Sequence, residues 1–121
     1  MTTFDAIVTH YLAVWNETDP AARRKAIDEL FSPDVRYLDP IAAVEGRDAL
    51  DGLIGAVHQQ FPGFEFRPFG TVDAHHDQGR FGWELGPPGV EAPVIGFDVA
   101  ELDGDGRIRL VLGFLDKAPT G

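Results

Sequence analysis

The sequence predicts an α+β domain, with helices in its first half packed on one face of an antiparallel sheet formed by its second half. Two observations carry this. Apolar residues recur at steps of three and four as far as Phe61, after which the pattern changes to alternation. The second half is then punctuated by turn signals, the tightest being "DGDG" at residues 103–106. With 121 residues the chain is long enough to enclose a hydrophobic core, and a single domain over 1–121 is expected.

The first helix is marked by Phe4, Ile7, Val8, Tyr11, Leu12 and Trp15. "NETDP" ends it and opens a second, with Asp19 as N-cap and Pro20 in the first helical position. Ala26, Ile27, Leu30 and Phe31 make the buried stripe of that second helix, and "SPD" stops it. A short strand over roughly 34–38 runs into Asp39. Gly46 precedes a third helix with the stripe Leu50, Leu53, Ile54, Val57 and Phe61, closed by Pro62 and Gly63. "FEFRPFGTVDAHH", "RFGWEL", "APVIGFDVAEL" and "RIRLVLGFLD" read as four strands.

The last two strands are apolar on both faces. Val94, Gly96, Asp98, Ala100 and Leu102 share one face, Ile95, Phe97 and Val99 the other; Ile108, Leu110, Leu112 and Phe114 oppose Val111 and Leu115. Three helices cover only one face of such a sheet, so a homodimer through the outer face is expected.

Lys and Arg number 10 against 20 Asp and Glu, a net charge of 10 − 20 = −10. Phosphate backbones and anionic lipid repel such a chain, which argues against nucleic acid and membrane partners. Cysteine is absent, excluding disulfides and thiolate chemistry. The start, "MTTFDAIVTHYLAVW", has no basic leader and carries Asp5 and His10 within its apolar pattern, so a cytoplasmic protein is expected.

Two acids stand in apolar company. In "YLDPIA", Asp39 falls where the first strand ends, facing either water at a turn or a cavity. Asp98 lies mid-strand between Phe97 and Val99, with Gly96 and Ala100 leaving space on its own face. Tyr11, on the core stripe of the first helix, has a hydroxyl that needs a partner. Each has an ordinary structural explanation when taken alone. Together they suggest a pocket whose apolar walls push the two carboxyl pKa values apart: Asp39, at the mouth, ionises more readily, and Asp98 tends to the neutral acid.

"WNETDPAARR", "LFSPDVRYLDP", "VEGRDAL" and "DVAELDGDGRI" together resemble the pattern shared by nuclear transport factor two, SnoaL-type polyketide cyclases and ketosteroid isomerase. The resemblance covers nearly the whole chain. It implies a cone-shaped curved sheet wrapped around the three helices, the nuclear transport factor two-like (cystatin-like) fold. It also implies roles: Tyr11 as oxyanion-hole tyrosine, Asp39 as general base and Asp98 as a protonated, hydrogen-bond-donating acid. Phe31 and Ile54 replace tyrosines that support the oxyanion tyrosine in some ketosteroid isomerases, so the broader SnoaL-like group fits better than steroid isomerisation. That fold hosts binding modules as well as enzymes.

Trp15, Phe61, His76 and Trp83 are expected near the pocket as ligand-binding residues. "DAHHD" at 73–77 invites a metal, but His75 and His76 point to opposite faces of a strand. No phosphate loop, nucleophile elbow or zinc motif is present. The expected function is thus cofactor-independent acid–base chemistry on a small apolar carbonyl compound, with no metal and no nucleotide. A non-catalytic ligand-binding or dimerisation module is the alternative.

Overall fold

The computed structural model describes residues 3–119. Helix α1 spans Phe4–Asn16, and Thr3 caps it by accepting from the Ala6 N–H. Helix α2 spans Pro20–Leu30, with Asp19 accepting from Ala22 N at 2.9 Å. Helix α3 spans Arg47–Gln60 behind Gly46. Six strands follow the order β2-β1-β6-β5-β4-β3: β1 (Phe31–Leu38), β2 (Ala43–Glu45), β3 (Glu65–His75), β4 (Gln78–Gly86), β5 (Val94–Leu102) and β6 (Ile108–Lys117).

The helices lie in the concave face of this sheet. Ile7, Tyr11, Leu12 and Trp15 of α1, Ile27 of α2, and Leu50 and Ile54 of α3 meet Val35, Phe81, Leu85, Ala100 and Val111 in one core. Two polar clamps hold the helices in place. Arg47 donates from Nε and Nη2 to the Phe31 carbonyl and from Nη2 to that of Asp28, so the start of α3 closes the end of α2. Asn16 exchanges hydrogen bonds with the backbone of Phe66, at 2.9 and 2.7 Å, tying the end of α1 to β3.

Four local expectations are corrected. Phe31 is not on a helix stripe: its φ of −108° and ψ of 147° are extended, and β1 begins there. "SPD" does not interrupt the chain but lies within β1, where the pairing with β6 shifts register between Phe31 and Arg36. Pro33 fits that irregularity because its missing N–H breaks no ladder bond. The sheet is not wholly antiparallel, since β1 runs parallel to β6, and the short strand β2 lies between Asp39 and Gly46. Finally, Ile108 is fully buried while Leu112 and Phe114 are exposed, because a register shift at Glu101/Leu102 turns the start of β6 inward.

Among the described residues, no helix is long and apolar enough to cross a membrane. Ile54 is wholly enclosed where α3 meets the sheet. Ile54→Ala should cost about 2–5 kcal/mol in urea unfolding with an unchanged m-value; a cost under about 1 kcal/mol would show that the α3–sheet packing collapses around the void.

Candidate functional site

Helices α1 and α3, the end of β1 and strands β3 to β6 enclose a cavity of about 270 Å³. Its wall is mainly apolar: Leu12, Leu53, Val57, Phe66, Leu85 and Leu115 contribute to it. The polar side chains are few and gathered together, which suits a hydrophobic ligand fixed by a small number of polar contacts.

Tyr11, Asp39 and Asp98 all line this cavity, as do Trp15, Phe61 and Trp83. His76 does not. It sits exposed at the β3–β4 turn with φ of 56°, because β3 ends at His75 and the chain there is already reversing. His75 beside it, also exposed, hydrogen-bonds Gln78 at 2.7 Å.

The Tyr11 hydroxyl donates to Oδ2 of Asp98 at 2.7 Å, a buried bond joining residues 87 apart in sequence. Tyr11 is carried on α1's inner face and Asp98 on the inner face of β5, 2% exposed in each case. Desolvation raises the Asp98 carboxyl from 3.8 to about 6, even though the Tyr11 hydrogen bond and the Trp83 indole pull it down; Asp39 pushes it up slightly. Desolvation, the Asp98 charge and that same hydrogen bond hold the Tyr11 phenol well above its ordinary value, so it stays protonated.

Asp39 settles the choice posed by its sequence: it does both. Oδ1 accepts from Ile41 N and Ala42 N at 2.8 and 2.7 Å, making the turn before β2. Oδ2 accepts from the Tyr37 hydroxyl at 2.7 Å at the cavity wall. A carboxylate offers about four acceptor positions. Three are filled here by donors of the described residues, leaving one on Oδ2.

Two participants escaped the sequence reading. Tyr37 was legible as an inward position two residues before Asp39 on β1, the step that keeps one face. Burial, first, and the charges of Asp98 and Asp39 raise its phenol far above the ordinary value. Gly113 was legible only through register. It pairs with Asp98 across β5–β6, and its neighbour Leu112 pairs with Leu38, beside Asp39. A Cβ at Gly113 would stand 2.8 Å from Oδ1 of Asp98 and 3.2 Å from Cβ of Asp39. The bare glycine is what lets two acids share one wall. Gly96 plays the same part for Trp83, whose ring lies 2.6 Å from where its Cβ would be.

His58 acts behind the site. Its Nε2 lies 2.6 Å from the Trp15 carbonyl and its Nδ1 3.5 Å from Nη1 of Arg23. The carbonyl can only accept, so Nε2 carries the hydrogen and Nδ1 is left to accept from the guanidinium. This tautomer ties α3 to the end of α1 and fixes Trp15. Among the described residues, no three His, Asp or Glu side chains come together to hold a metal ion.

A family model described as the SnoaL-like domain matches residues 8–111. Among solved structures, a SnoaL-like family protein from Agrobacterium tumefaciens, provisionally named an isomerase, is 40% identical over 96% of this chain and 99% of its own, with a TM-score of 0.91. A protein from Jannaschia provisionally named a SnoaL-like polyketide cyclase is 21% identical over 91% and 85%, TM-score 0.68. Another from Sinorhizobium meliloti, provisionally named a polyketide cyclase, is 19% identical over 93% and 99%, TM-score 0.72. The latter two show the fold alone. No curated protein matches the chain.

The raised Asp98 carboxyl has a thermodynamic signature. Between about pH 6 and pH 4 the folded chain holds a proton on Asp98 that the unfolded chain has released, so this group adds stability as pH falls and withdraws it as pH rises. Relative to Asp98→Asn, the native protein should gain about 3 kcal/mol across that window in denaturant unfolding. A difference that stays flat with pH would mean Asp98 titrates as an exposed aspartate.

Proposed function

We propose that this chain, which belongs to the SnoaL-like domain family, binds a small, mostly apolar molecule in its cavity and acts on it by cofactor-independent acid–base chemistry. The reaction is enolisation of a carbonyl compound, of the isomerase or cyclase kind. One observation carries this reading: two carboxyls of different character, Asp39 and Asp98, stand on one apolar wall with only Gly113 between them.

In the reaction, Oδ2 of Asp39 takes a proton from the carbon beside the carbonyl. The released pair forms the carbon–carbon double bond and the charge moves to oxygen. Oδ2 of Asp98 is occupied by Tyr11, so in neutral Asp98 the proton sits on Oδ1, the oxygen left to donate to the developing oxyanion. Return of the proton to another carbon gives an isomer; attack of the enolate carbon on a second carbonyl gives a ring. The Agrobacterium protein is provisionally named an isomerase, which agrees with the first outcome, and the Jannaschia protein a polyketide cyclase, which agrees with the second.

The binding-module reading is favoured by one feature, the three internal donors on Asp39, which would suit a purely structural turn. Deuterium incorporation beside the carbonyl of bicyclic ketones separates the two. Exchange should rise as pH falls through about 6, where Asp98 takes up its proton. Asp39→Asn should retain the fold and lose about 100-fold or more of the exchange rate. No exchange above the buffer rate would establish the binding module, and equal exchange by the variant would remove Asp39 as the base.

A second copy of the chain is the proposed protein partner. Phe97 and Phe114 stack on the outer sheet face at 5.1 Å and 16°, with Leu112 and Phe114 37% and 52% exposed. Arg80 covers the Phe97 ring, and the Arg109–Glu101 pair lies on the same two strands as this strip. Apolar centre and mixed-charge rim make the surface self-complementary about a two-fold axis. Light scattering at micromolar concentration should give a dimer and, for Phe114→Glu, a folded monomer; a native monomer would refute the assignment.

A further inference from the structure

Among the described residues, three polar atoms of cavity-lining side chains have no hydrogen-bond partner in the protein: Oδ1 of Asp98 and the indole Nε1 of Trp15 and of Trp83. Their side chains are at least nine-tenths buried and all three residues line the cavity. Each such atom costs free energy while it stays unpaired. A group placed among them therefore recovers free energy that no apolar contact supplies.

The chemistry of that group is constrained. Tyr11 has one hydroxyl hydrogen, and it is committed to Oδ2 of Asp98 at 2.7 Å. The site therefore offers no free phenol donor to a ligand. At neutral pH Asp98 is mainly ionised, given its titration near 6, so Oδ1 accepts. The Trp83 indole lies close enough to favour that ionised form, yet not at the distance and angle that satisfy either atom. Trp15 stands in the same relation to the Tyr11 oxygen. An acceptor beside a donor asks for a group that does both. A carbonyl accepts only, and leaves Oδ1 unpaired. An ammonium donates only, and leaves the indole unpaired. A hydroxyl donates to one and accepts from the other.

We infer that the ligand places a hydroxyl between Oδ1 of Asp98 and the indole N–H of Trp83, which makes Trp83 a specificity-determining residue of this cavity. The inference rests on the reading of the cavity as a ligand site and names the group that site selects. Alcohols meet the requirement, and so does the enol form of a carbonyl compound. The enol is the state reached when neutral Asp98 has passed its proton to the enolate oxygen.

Calorimetric titration at neutral pH with three molecules of one skeleton tests this: ethylnaphthalene, acetonaphthone and the corresponding naphthyl ethanol. The alcohol should bind about tenfold or more tighter than the ketone. Trp83→Phe should weaken alcohol and ketone alike by about tenfold, bringing the ketone down to the hydrocarbon, which still binds as before. Asp98→Asn should turn it toward the ketone, because Tyr11 then donates to the amide oxygen and the amide N–H₂ faces the cavity. Equal binding of alcohol and ketone, or alcohol binding unchanged by Trp83→Phe, overturns the inference while leaving the cavity as a ligand site. Failure of all three molecules to bind overturns both.

Discussion

The hydrogen bond between Tyr11 and Asp98 is the constraint on which this molecule turns. It is the point where the first helix meets the centre of the sheet, and it satisfies only half of a buried carboxyl. An acid in mid-strand, flanked by Phe97 and Val99, would be costly anywhere else in the domain. Here the phenol offsets part of that cost and requires α1 to lie where it does. With α1 in that place, Trp15 packs against Tyr37 and Phe66, at ring separations of 5.5 and 5.4 Å, and forms one wall of the cavity. The carboxyl oxygen that Tyr11 does not reach has no partner among the described residues.

A second tyrosine–aspartate pair, Tyr37 with Asp39, lies on the neighbouring edge of the same cavity. The two pairs have the same composition and opposite settings. Asp98 is enclosed, with one oxygen unpaired. Asp39 is half-buried, and its turn supplies two backbone donors. Burial thus raises one acid while local backbone geometry organises the other. The space between them depends on the absence of a side chain at a single position, Gly113.

Much of this was legible in the sequence. The three helices follow from their stripes and caps, and the inward placement of Asp98 follows from alternation with Gly96 and Ala100. What was not legible required pairings distant in sequence. The parallel contact of β1 with β6 joins segments some seventy positions apart, and nothing in either strand encodes its direction. The inward turn of Ile108 comes from a register shift, which alternation alone cannot show. Phe31 was misplaced because a helix stripe and the first inward residue of a strand look alike when the helix ends without a glycine. His76 was assigned to the cavity by extending a strand through a residue where the chain already turns. Gly113 carried no signal of its own, since a glycine in a strand acquires meaning only from what lies opposite.

The aromatic census has a spectroscopic consequence. The chain contains two tryptophans and two tyrosines, and all four line the cavity. Apart from the weak bands of phenylalanine, its near-ultraviolet absorption, circular dichroism and emission therefore originate from one wall of one site. Intrinsic fluorescence in this protein reports the electrostatic state of Asp98 and the contents of the cavity. A change in emission maximum would record occupancy or protonation there before any loss of the fold, with no label attached.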